Sequence, residues 1–201
     1  MENKNSLELM KLSVLAGAMI GLAGFAYLAV GGVVGSILFS FGLISVYCYG
    51  LFLFTGLAGR TPIDTDGLNG LFQVLIGNIF GAILIALLAR LSPLPLQEAA
   101  QKIFLSHISL GWWKAGLLSI ACGWIVEEAV ISAKAGIIIP TFLGVSIFVL
   151  CGFPHCIADA FYYALTPVDI LRENAVQMII IYVMIVLGNY LGCNLRRICK
   201  I

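Results

Sequence analysis

Charged positions divide this chain into long apolar runs. No charged residue lies between Lys11 and Arg60, a gap of 48 residues, 12 to 59. Two membrane-length helices fit there, at about 20 apolar residues each, with a turn at Gly31-Gly32. Residues 67–89 between Asp66 and Arg90, 135–158 between Lys134 and Asp159, and 174–195 between Glu173 and Arg196 are likewise uncharged. A further apolar stretch, Ile108 to Ala133, is interrupted by Lys114 and Glu127-Glu128. The pattern predicts six transmembrane helices. Two of them look broken. Gly50-Leu51-Phe52-Leu53-Phe54-Thr55-Gly56 sets a threonine between glycines, and Cys151 to Asp159 gathers Gly152, Pro154, His155 and Asp159. The stretch Ile137 to Leu165 is too long for one straight span, and proline removes a helix hydrogen bond.

Composition agrees. Of 201 residues, 61% are hydrophobic and 10% charged, against about 25% charged in soluble domains. That excludes a cytosolic enzyme, a disordered chain and a secreted disulfide scaffold. The net charge of +1 excludes a nucleic-acid binder driven by phosphate neutralisation. The reading is one membrane domain over residues 1–201 with the lipid bilayer as its partner. A cleaved signal peptide is not expected, because the first apolar segment leads straight into more spans. Six spans put both termini on one side. Lys4, Lys11, Arg60, Lys134, Arg196, Arg197 and Lys200 fall on that side, against Arg90, Lys102, Lys114 and Arg172 on the other. The positive-inside rule then makes both termini cytoplasmic, in the cell inner (plasma) membrane. The six cysteines show no CxxC and no metal-ligand spacing. No disulfide, metal or cofactor is assigned.

Gly77-Asn78-Ile79-Phe80-Gly81 and Gly188-Asn189-Tyr190-Leu191-Gly192 share a G-N-x-x-G pattern, 111 residues apart. Small-xxx-small packing accounts for the glycines. It leaves Asn78 and Asn189 unexplained, since an amide in lipid is costly unless bonded. The repeat divides the chain into two three-helix halves. Three is odd, so the second half enters the membrane inverted. Interrupted segments at corresponding positions of two inverted halves point to a solute path.

In these motifs the chain resembles the formate/nitrite transporter family. Leu53-Phe54-Thr55-Gly56, Gly77 to Gly81, Cys122 to Val126, Gly152 to Asp159 and Gly188 to Gly192 follow that family's order and spacing. The resemblance implies an aquaporin-like fold, a homopentamer with one pore per protomer, and passage of small monovalent weak-acid anions such as formate, nitrite, lactate or hydrosulfide. It makes His155 the central pore histidine, with Leu53, Phe54 and Thr55 as the loop of the broken second span. Leu43 and Phe148 take the places of apolar constrictions, Gly123 and Val126 line the pore, and His107 stands where a vestibule lysine is usual. Several positions depart from the family pattern: Pro154 for a glutamate, Asp159 and Gly123 for asparagines, and Glu127-Glu128 for uncharged residues.

Simpler roles compete with these. His155 could tie a broken helix together, Thr55 could cap a helix end, Leu43 and Phe148 could be core packing, and His107 could sit at the interface beside Trp112 and Trp113. On an α-helix, residues 123, 126, 127 and 130 share a face. Glu127 is therefore expected on the solute path, and Glu128, about 100° away, beside Trp124. Alternatively both glutamates sit shallow and pair with snorkelling lysines. Functional alternatives are the same fold retuned for a neutral or cationic solute, and a non-transporting membrane scaffold. An intramembrane enzyme is disfavoured: the sequence has no G-x-S-x-G, GxGD or HExxH, and no catalytic residue is assigned.

Overall fold

The structure is a computed structural model and describes residues 5–200. Lys4, one of the basic residues counted above, lies outside them. The described residues form ten helices: α1 (Ser6–Val30), α2 (Gly32–Cys48), α3 (Phe54–Leu57), α4 (Thr65–Ala89), α5 (Leu96–Lys134), α6 (Ile139–Leu150), α7 (Cys156–Leu165), α8 (Val168–Glu173), α9 (Ala175–Cys193) and α10 (Leu195–Cys199).

Local chemistry sets the ends. The Asn5 side chain accepts from Glu8 N at 2.8 Å to cap α1, and Asp64 accepts from Gly67 N at 2.7 Å to cap α4, satisfying orphan N–H groups of the first turn. Gly31 turns the chain between α1 and α2 at φ +69°, a region glycine enters without steric penalty. Gly111, at φ +73°, kinks α5. The part of α5 before Ile108, residues 96–107, lies outside the span expected from the sequence.

α1, α4, α5 and α9 are long and apolar enough to cross a membrane by themselves. The other apolar stretches are divided. α2 stops at Cys48 and helix resumes at Phe54; α6 stops at Leu150 and resumes at Cys156. α4 lies along α1, α9 lies along α5, and α7 packs against α1, α4, α5 and α9. Nine of the ten α7 residues are buried. Large apolar residues such as Val34, Phe41, Phe72, Leu117 and Ile179 cover the outside. So apolar a surface suits hydrocarbon rather than water, and the protein is an all-α, multi-pass membrane bundle.

Candidate functional site

Asn78 and Asn189 do the same work at the two helix breaks. Asn78 Oδ1 accepts from Phe54 N at 2.8 Å, while its Nδ2 donates to Ser13 O at 2.7 Å and Phe52 O at 2.8 Å. Asn189 Oδ1 accepts from Cys156 N at 2.8 Å, and its Nδ2 donates to Ser119 O at 2.8 Å and Pro154 O at 3.1 Å. Phe54 and Cys156 are the first residues of α3 and α7. Each amide therefore satisfies the N–H that opens a helix and the carbonyl two residues before it. That answers why a polar amide sits at the same offset in both motifs: irregular backbone at depth needs internal partners.

The two breaks meet. Thr55 Oγ1, on α3, lies 3.1 Å from His155 Nε2, at the start of α7. Both residues are buried. His155 Nδ1 accepts from Ala158 N at 3.2 Å. A backbone N–H can only donate, so Nδ1 carries no proton and the neutral ring carries it on Nε2. Nε2–H donates to Thr55, leaving the threonine hydroxyl proton directed elsewhere. Phe148 stacks on the ring, with centroids 5.5 Å apart and planes 21° apart.

His155 lines one cavity, and Leu53 and Gly56, near Thr55 in the chain, line another. Phe148, His155, His107, Asp159, Tyr27 and Tyr162 are among the lining of one of about 90 Å³. Leu43, Leu53, Gly56, Val130 and Lys134 are among the lining of another of about 210 Å³. Lys134 also borders a wider hollow of about 700 Å³ with Arg60, Asp64 and Asp66. Leu43 and Phe148 thus belong to different cavities. Phe54 is buried beside Thr55.

The other expected site residues are placed as follows. His107 is buried, 4% exposed, and its Nδ1 lies 3.4 Å from Asp159 Oδ1 and 3.5 Å from Tyr163 Oη. The kink at Gly111 separates it from the exposed Trp112 and Trp113. Gly123 faces α9, where a Cβ would stand 2.3 Å from the Asn189 carbonyl oxygen; this glycine permits close helix approach. Val126 is 1% exposed and borders none of these three cavities. Glu127 is buried and lies 3.5 Å from Arg60 Nη2, which also donates to Gly56 O. Glu128 points outward, accepts from Trp124 Nε1 at 3.2 Å and pairs with Arg196 at 3.0 Å. Cys193 Sγ donates to Thr55 O at 3.2 Å, tying α9 to the site, a contact the sequence did not signal.

The sequence profile described as "Formate/nitrite transporter" matches residues 2–196. The chain belongs to the formate/nitrite transporter family. Solved structures agree on the fold of this family member. A "Pentameric formate channel with formate bound" superposes with a TM-score of 0.84 at 22% identity, covering 100% of this chain and 97% of the other. An "FNT family ion channel" does so with 0.82 at 20% identity, covering 95% and 87%. No curated protein matches in sequence. At these identities the structural likeness speaks for the fold, and the choice of solute rests on the site.

Proposed function

We propose that this protein is a channel or transporter for small monovalent weak-acid anions, with one pore per protomer of a homopentamer. The six-span reading counts α2 with α3, and α6 with α7, as broken spans of two inverted three-helix halves. The matching bonds of Asn78 and Asn189 support it. Arg60, Lys134, Arg196 and Arg197 gather at one end, while Arg90 donates to Ala164 O and Thr166 O at the end of α7. That grouping supports cytoplasmic termini in the plasma membrane.

The observation that carries the reading is the buried Thr55–His155 hydrogen bond that joins the two helix breaks. A bare anion in an apolar passage loses several kcal/mol of hydration. The buried Thr55 hydroxyl proton offers the solute a hydrogen bond. His155 polarises that hydroxyl by donating to its oxygen, and the N-terminus of α7 adds a positive dipole end. Leu43 and Phe148 exclude water on either side. A weak acid suits such a path because it can cross with its proton on. Arg60 and Lys134 concentrate anions at the wide hollow.

A second reading, the same fold serving a neutral or cationic solute, draws on the buried Asp159 carboxyl. Stopped-flow assays on proteoliposomes with formate, nitrite, hydrosulfide, lactate and ammonium decide between them. Formate-class flux above empty vesicles supports the anion path; ammonium flux alone supports the second.

A further inference from the structure

Asp159 is the least explained group in the protein. It is 1% exposed, and its Oδ2 has no hydrogen-bond partner among the described residues. It follows His155 by four positions, so both face the cavity of about 90 Å³ from one side of α7. Its other oxygen, Oδ1, lies 3.4 Å from His107 Nδ1. From the packed elements, the titratable groups about it are His107 and Cys122 on α5, Tyr27 on α1 and Tyr182 on α9, with Cys156, Tyr162 and Tyr163 on its own helix and His155 at its start. Arg90, just after α4, binds carbonyls of Ala164 and Thr166 at the end of α7. None of the groups lining the cavity is a fixed cation. An ionised Asp159 would stand alone against strong desolvation. One proton shared with His107 removes that penalty, as Asp–COOH with neutral imidazole or as carboxylate with imidazolium.

We propose that Asp159 and His107 form a proton-exchange pair, in series with Thr55–His155, that hands a proton to the incoming weak-acid anion. This rests on the anion-path reading above. The anion enters the small cavity from the side away from Arg60. The shared proton moves to the anion's oxygen, giving the neutral acid and leaving Asp159 as carboxylate beside neutral His107. The neutral acid passes His155. Water on the side of entry returns a proton to the pair. The unpartnered Oδ2 is the contact for the acid's O–H, the one donor a protonated weak acid offers.

The test is formate uptake into proteoliposomes between pH 5 and pH 8, with empty vesicles subtracted. Asp159→Asn keeps the shape and removes the proton. Its flux should fall steeply as pH rises, by about a hundredfold at neutral pH, the lower end of what proton-transfer groups contribute. His107→Gln should do the same. The double variant should be no worse than either alone, because the two act as a unit. If the single variants assemble poorly, infrared spectra of the wild-type protein carry the test instead. A protonated-carboxyl band that shifts on adding formate, and is absent from a ¹³C-aspartate-edited control, supports the pair. A flux loss equal at every pH would mean a structural role, and a rise in formate flux in Asp159→Asn would mean plain anion repulsion. Either overturns the pair while leaving the anion path intact. A wild-type protein that moves no formate sinks both.

Discussion

Removing either repeated asparagine should unfold the helix break it serves. In Asn189→Ala, the Cys156 N–H loses its side-chain acceptor, the only one among the described residues, and Ser119 O and Pro154 O lose a donor. An orphaned buried N–H costs about 1–3 kcal/mol, and each other lost bond about 0.5–1.5 kcal/mol. The sum is about 2–6 kcal/mol. Asn78→Ala removes the equivalent set at Phe54, Ser13 and Phe52, and should lose a similar amount. Asn194→Ala is the control. That side chain donates to Ala58 O and Tyr190 O and accepts from Arg197, so its loss orphans no buried backbone N–H, and three lost bonds at the same rate cost about 1.5–4.5 kcal/mol, centred below the repeat asparagines. Circular dichroism during unfolding in mixed micelles measures all three. The reasoning fails if either repeat asparagine proves no more important than Asn194, or if one matters and the other does not.

Three further outcomes follow from the packing. Gly123→Ala should prevent close approach of α5 and α9, costing about 1–3 kcal/mol or more, because its Cβ would meet backbone at 2.3 Å. Gly56→Ala should be tolerated, its nearest contact being 3.6 Å; thermal stability in detergent compares the two. Glu127→Gln should raise anion flux near neutral pH by freeing Arg60, while Glu128→Gln, at a half-exposed pair, should leave flux unchanged and cost at most about 1 kcal/mol; paired liposome assays check both. Thr55→Ser should keep flux and Thr55→Val should lose it, since only the first retains the hydroxyl that His155 addresses.

Much of the fold was legible because lipid imposes so few solutions on a backbone. Apolar runs between charges gave the long helices, and an amide inside such a run had to have a partner. Asn78 and Asn189 were therefore conspicuous before their bonds were seen. Glu128 beside Trp124 followed from four-residue spacing. What failed involved contacts distant in sequence or a change of backbone direction. The helical stretch 96–107 carries Glu98 and Lys102, which masked its buried face. His107 looked interfacial because Trp112 is five residues away, and only the Gly111 kink separates them. That Gly123 packs against α9 was also not legible, since Asn189 is distant in sequence. Arg60 and Glu127, 67 positions apart, showed no sequence sign of pairing.

The central claim is that His155, bonded to Thr55, governs passage of the solute. Formate flux through His155→Ala, measured in proteoliposomes beside the wild type and with pentamer formation verified by native mass spectrometry, tests it most directly. The account predicts a pentameric variant whose flux falls by about a hundredfold and whose pH dependence differs from wild type. An assembled variant that keeps wild-type flux and pH dependence would contradict it.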